Sequence, residues 1–122
     1  MGSLVVGALA CSTARQAPDE LSGTWRLTTV CAYERMEGPP CEPVAAATAE
    51  VISFASGSRF TRQRPDEEGI YRLEARVAPS GAQEVLIYFD DGVPAQVHVT
   101  GDSLVVSWAY IDGPERRYVR DR

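Results

Sequence analysis

The chain has 122 residues, 44% of them apolar and 24% charged, with a formal net charge of -5 and a sequence pI of about 4.8. That length suits one domain with a single modest core, and the composition is that of a globular protein, which excludes a disordered or coiled-coil chain. An acidic surface repels phosphates, so nucleic acid is not an expected partner.

Ser3 to Ala10 is a short, uncharged, mostly apolar run that ends directly before Cys11, and Ser12 to Pro18 then form a polar tether. This order resembles the end of a bacterial lipoprotein signal, in which a small residue precedes a cysteine that is lipidated and becomes the new amino terminus. No Lys or Arg stands before the run, and Leu9 lies one place closer to Cys11 than the usual leucine. The resemblance implies an exported protein held in a bacterial cell envelope by a lipid on Cys11, facing the periplasm or the exterior. Residues 1–20 are accordingly read as leader and tether, and 21–122 as the folded domain. A frayed leader with a free thiol is the plainer alternative. No run reaches the roughly 20 apolar residues of a membrane-spanning helix, so membrane association would come through the anchor.

With Cys11 assigned to that junction, Cys31 and Cys41 remain as an even pair. In an oxidising envelope they are expected to form a disulfide, which for so short a loop contributes ~2 to 3 kcal/mol in the chain-entropy model. Two reduced cysteines in a cytosolic protein are the alternative. Two thiols and one distant His98 cannot complete a tetrahedral zinc shell, so no metal is expected.

From Leu21 onward, short segments of alternating polarity follow one another at intervals close to ten residues, the pattern of an all-β sandwich or barrel. The first, Thr24 to Tyr33, sets Trp25, Leu27, Thr29 and Cys31 against Arg26 and Thr28. Val44 to Thr48 could form one helical turn before Glu50 to Ala55, where Ile52 and Phe54 share a face. Ser56-Gly57-Ser58 turns into Arg59 to Arg64 around Phe60. Tyr71, Leu73, Ala75 and Val77 then alternate with Arg72, Glu74 and Arg76, one face core and the other wet. In Glu84 to Phe89 the run Val-Leu-Ile-Tyr-Phe suggests burial or contact on both faces. Asp90-Asp91-Gly92 and Gly101-Asp102 are hairpin signals on either side of Ala95, Val97 and Val99. Leu104, Val106, Trp108 and Tyr110 alternate in the next segment, and Asp112-Gly113-Pro114 turns into a last strand, Arg116 to Arg120. The arginines Arg116, Arg117, Arg120 and Arg122 read as a solvated strand rather than an anion site. Eight strands with short loops predict an antiparallel up-and-down β-barrel, since closure removes exposed edges; a two-sheet sandwich satisfies the same pattern.

Leu21-Ser22-Gly23-Thr24-Trp25-Arg26-Leu27 resembles the Gly-X-Trp opening strand of lipocalins, and more closely that of the small bacterial lipocalin-like lipoproteins. The same resemblance extends to Ile52-Ser53-Phe54, Glu68 to Leu73, Asp102-Ser103-Leu104 and Tyr118-Val119-Arg120, and covers about a hundred residues in order. It implies that Trp25 closes one end of the barrel under the guanidinium of Arg120, with Gly23 giving the chain room to cross; the plainer reading is a core Trp25 and a surface Arg120.

No catalytic constellation is present. The single His98 lies on a polar face beside Gln96, no serine has a histidine to activate it, and the glycines form no phosphate loop or dinucleotide fingerprint. Asp90 with Asp91, and Asp66 with Glu67 and Glu68, read as solvated turn carboxylates rather than a calcium site. Neither enzyme activity nor a cofactor is expected, and the protein is read as a monomer. Two functions remain. An eight-stranded barrel can enclose one small hydrophobic ligand, with the inward set Leu27, Phe54, Phe60, Tyr71, Leu73, Leu86, Tyr88, Val97, Val106 and Trp108 as candidate lining. Alternatively the interior is filled by those bulky side chains and the protein is an anchored interaction module, an inhibitor, chaperone or assembly factor. Resemblance gives the ligand reading a slight lead, and a continuous apolar cavity of roughly 300 Å³ or more would separate the two.

Overall fold

The structure, a computed structural model, describes residues 20–32 and 41–121. Residues 1–19 with Cys11, residues 33–40 and Arg122 lie outside the described residues, and with them the expectation of a lipid anchor. The strands are β1 (Gly23–Ala32), β2 (Cys41–Pro43), β3 (Val51–Ala55), β4 (Arg59–Gln63), β5 (Glu67–Val77), β6 (Gln83–Phe89), β7 (Ala95–Thr100), β8 (Ser103–Ser107) and β9 (Pro114–Arg120). From β3 to β9 each pairs antiparallel with the next, and β1 pairs with both β3 and β9. The ring closes through β1, and the result is an eight-stranded up-and-down barrel rather than a sandwich. We call the end where β1, β4, β6 and β8 finish the upper end.

Local chemistry explains the elements. β-Branched and aromatic residues alternate with polar ones along most strands, and each connection from β3 to β9 carries a residue suited to reversal. Between β7 and β8 the loop is only Gly101-Asp102, with Gly101 at a φ of +60° that a side chain would strain. The alanine-rich stretch forms one 3-10 turn, Ala46–Thr48.

β2 is an addition outside the ring. It pairs with β1 at Thr29 to Cys31, above the point where β3, paired with Gly23 to Arg26, has turned away. The Cys31–Cys41 disulfide joins residues directly opposite each other in this ladder.

Residues opposite one another across a ladder share a face of the sheet, which defines the interior. Trp25 lies opposite Ile52 and Arg120, Phe54 opposite Phe60, Tyr71 opposite Phe89, Ile87 opposite Ala95, and Leu104 opposite Tyr118. Together with Leu21, Leu27 and Val106 these apolar residues form one buried core.

Three elements depart from simple alternation. The pairing of β1 with β9 shifts between Leu27 and Thr29, a bulge that turns Val30 onto the core and places the fully buried Cys31 beside Glu115 on the outer face. Thr29 and Cys31 therefore do not continue the face of Trp25 and Leu27. β8 ends at Ser107, and the chain leaves through a 3-10 turn at Ala109–Ile111, so Trp108 and Tyr110 stand beyond the strand. β5 begins at Glu67, ahead of the alternating segment at Tyr71.

Candidate functional site

At the lower end, Leu21 caps the core and its carbonyl accepts a hydrogen bond from the Trp25 indole Nε1 at 2.8 Å. The Arg120 guanidinium carbon lies 4.3 Å from the Trp25 ring centroid. The same guanidinium donates to the carbonyls of Ser22 at 2.9 Å and Glu20 at 2.7 Å, and faces Asp102 at 3.5 Å. Gly23 has a φ of +114°, and a Cβ there would lie 3.0 Å from Arg120 Nη1. A planar cation thus covers an indole and ties the incoming chain across the barrel end.

Through the middle, aromatic rings meet inside the barrel. Phe54 meets Tyr71 edge to face at 5.1 Å, Phe60 meets Phe89 in the same way at 5.1 Å, and Phe89 also approaches Phe54 at 6.3 Å and Trp108 at 6.4 Å. Trp108 is held there by its Nε1, which donates to the Val93 carbonyl at 3.0 Å.

The upper end is polar inside. Glu50, 6% exposed, accepts a bond on Oε1 from Arg116 Nη1 at 3.1 Å and on Oε2 from the Tyr118 hydroxyl at 2.8 Å, while Arg62 Nε lies 3.2 Å from Oε2. Arg62 also donates to Glu67 at 2.6 Å and stands over the rings of Phe60 and Phe89 at 5.5 and 5.4 Å. Burial, and then the neighbouring Glu50 carboxylate, push the Tyr118 phenol well above its ordinary value. A carboxylate buried this deeply is tolerable because two guanidiniums and a hydroxyl answer it.

The candidate lining divides accordingly. Leu27, Phe54, Phe60, Tyr71, Leu73, Val97 and Val106 belong to or pack on the interior cluster, as does Trp108 from beyond β8. Leu86 and Tyr88 do not face inward. Leu86 lies opposite the exposed Glu74 and Tyr88 opposite the exposed Arg72, while Ile87 and Phe89 take the inward positions. On the outer face Arg72 covers the Tyr88 ring, and the Tyr88 hydroxyl donates to Glu74. The last strand is not simply solvated either. Arg116 and Arg120 point inward to Glu50 and Trp25, and Arg117 pairs with Glu115.

The acidic turns are also occupied. Asp90 accepts the Ile70 N–H on Oδ1 at 3.0 Å, and a Cβ at Gly69 would strike its carboxylate at 2.5 Å, so Gly69 is the space that Asp90 needs. His98 is exposed beside Gln96, on the outer face of β7.

Two clefts are bordered by described residues. One of about 610 Å³ runs along the β4–β5 hairpin, open and lined by the mainly polar side chains of Thr61 to Arg64 and Asp66 to Glu68. The other, of about 250 Å³, lies where β6 and β7 diverge below their short ladder of Val85 to Ile87 with Ala95 to Val97, and is bordered by Glu84, Gln96 and His98. Neither is an enclosed apolar cavity.

The chain matches no protein family, no curated protein and no solved structure. What the barrel does is therefore read from its own geometry. The Glu50 cluster is the feature that the sequence reading missed. Its signal was present, because Glu50, Arg62 and Arg116 lie two residues from Ile52, Phe60 and Tyr118 and share their inward phase.

Proposed function

We propose that this chain is a non-catalytic, lipocalin-like envelope protein, exported and tethered through Cys11, that acts through its outer surface on another envelope protein. It belongs with inhibitors, chaperones or assembly factors rather than with ligand carriers. The observation that supports this reading is the contact of Phe54, Phe60, Tyr71, Phe89 and Trp108 with one another in the barrel interior, where a small hydrophobic ligand would have to lie. A single enclosed ligand demands a cavity of roughly 300 Å³ or more lined mainly by apolar groups. The Cys31–Cys41 bridge supports an oxidising compartment, where such bonds persist.

Titration with a fluorescent apolar probe such as N-phenyl-1-naphthylamine tests the filled interior. The expected result is no saturable binding by the native chain. Saturable one-to-one binding with transfer from a tryptophan would overturn the reading. The tether is tested separately by detergent-phase partitioning in a bacterial host. Full-length protein is expected in the detergent phase and the Cys11→Ser variant in the aqueous phase; equal partitioning would remove the anchor.

A further inference from the structure

The geometry points to a carboxylate-binding recess inside the upper end of the barrel, formed by Arg62, Arg116 and Tyr118, which the chain keeps shut with its own Glu50. With Glu50 removed, the recess takes a small monocarboxylate.

Both oxygens of Glu50 are engaged by groups from two other strands, Arg62 on β4 and Arg116 and Tyr118 on β9. Two of those groups are positioned without Glu50. Arg62 is held over Phe60 and Phe89 and bonded to Glu67, and the Tyr118 ring belongs to the core. Removing the Glu50 side chain therefore leaves two preorganised donors beside the part-exposed Arg116 guanidinium. It also leaves two guanidiniums against the single carboxylate of Glu67, an excess positive charge that favours an anion.

Glu50 does not fill the recess ideally. Arg62 Nε is buried and makes no aligned hydrogen bond, although it lies 3.2 Å from Glu50 Oε2. The backbone ahead of β3 fixes where a tethered carboxylate can reach, whereas a free one can rotate to meet that N–H. Two planar donors with a hydroxyl suit a planar, two-oxygen acceptor better than a spherical halide. Access exists on one side, since the Arg116 side chain is one-third exposed.

Glu50→Ala removes a group the size of acetate, so acetate is the probe. Thermal unfolding is followed in acetate and in chloride at pH 7 and equal ionic strength. The wild-type midpoint is expected to be the same in both salts. For Glu50→Ala, acetate is expected to raise the midpoint saturably, by about 5 °C or more at ten times its dissociation constant. The Glu50→Ala/Arg116→Ala double variant is expected to lose that rise. Should Glu50→Ala be unfolded in chloride, recovery of near-ultraviolet circular dichroism in acetate supports the recess equally. Identical behaviour of Glu50→Ala in the two salts, folded or unfolded, overturns the proposal, and so does a saturable acetate response in the wild type. These outcomes are independent of the filled-barrel reading, which apolar probes test.

Discussion

Arg120 holds the lower end by stacking on Trp25 and donating to two carbonyls of the chain that crosses beneath it. A cation over an indole contributes ~0.5 to 2 kcal/mol, and hydrogen bonds from a charged donor add to it. Arg120→Ala is expected to lower stability by about 1 to 3 kcal/mol in urea unfolding with an unchanged m-value, and an unchanged midpoint would show that the contact is idle. Tyr118 gives a pH dependence at the same scale. Its phenol is held above the ordinary value near 10 by burial and by Glu50. The stability it contributes is complete below pH 10 and falls as pH rises further, because the unfolded tyrosine ionises while the folded one keeps its proton. Unfolding free energies measured between pH 9 and 11.5 should fall more steeply for the wild type than for Tyr118→Phe, by up to about 1.4 kcal/mol per pH unit. Equal slopes would contradict the assignment.

At the scale of elements, β2 depends on covalent help. Three residue pairs join it to β1, and the disulfide closes the ladder at Cys31 and Cys41. Cys41→Ser is expected to cost about 2 to 3 kcal/mol. In oxidised, denatured protein, mass spectrometry should find neither Cys31 nor Cys41 alkylated; modification of both would refute the bridge. This pairing was legible once Cys11 was set aside for the lipoprotein-like junction, which left Cys31 and Cys41 as an even pair. Strand positions and turns were legible too, because polar and apolar residues alternate clearly around Tyr71 to Val77 and turn residues punctuate the chain. The facing of β6 was not. Val85 to Phe89 is apolar at every position, so a period of two has no phase to read, and only the ladder with β5 sets Ile87 and Phe89 inward and Leu86 and Tyr88 outward. The β1 bulge escaped for a related reason. One extra residue reverses every face beyond it, and nothing in Leu27-Thr28-Thr29-Val30 marks where it falls.

For the whole molecule, the even spacing of strands announced an all-β domain, but closure rests on a single long-range pairing, that of β1 with β9. How the interior is used was less accessible still, because sequence reveals which residues face inward but not whether their rings meet. Here they do, and charged groups at inward positions complete the upper end. If the interior is packed, opening it should be costly and should create what the native chain lacks. Phe60→Ala, which removes a buried ring packed edge to face on Phe89, is expected to lose about 3 to 5 kcal/mol and to gain binding of an apolar probe. Native mass spectrometry of full-length protein gently extracted from bacterial membranes, compared with the same sample denatured, decides whether the barrel is filled by its own side chains. Identical masses are expected, with any acyl groups on Cys11 retained in both. A small-molecule mass present in the native spectrum and lost on denaturation would contradict a filled barrel.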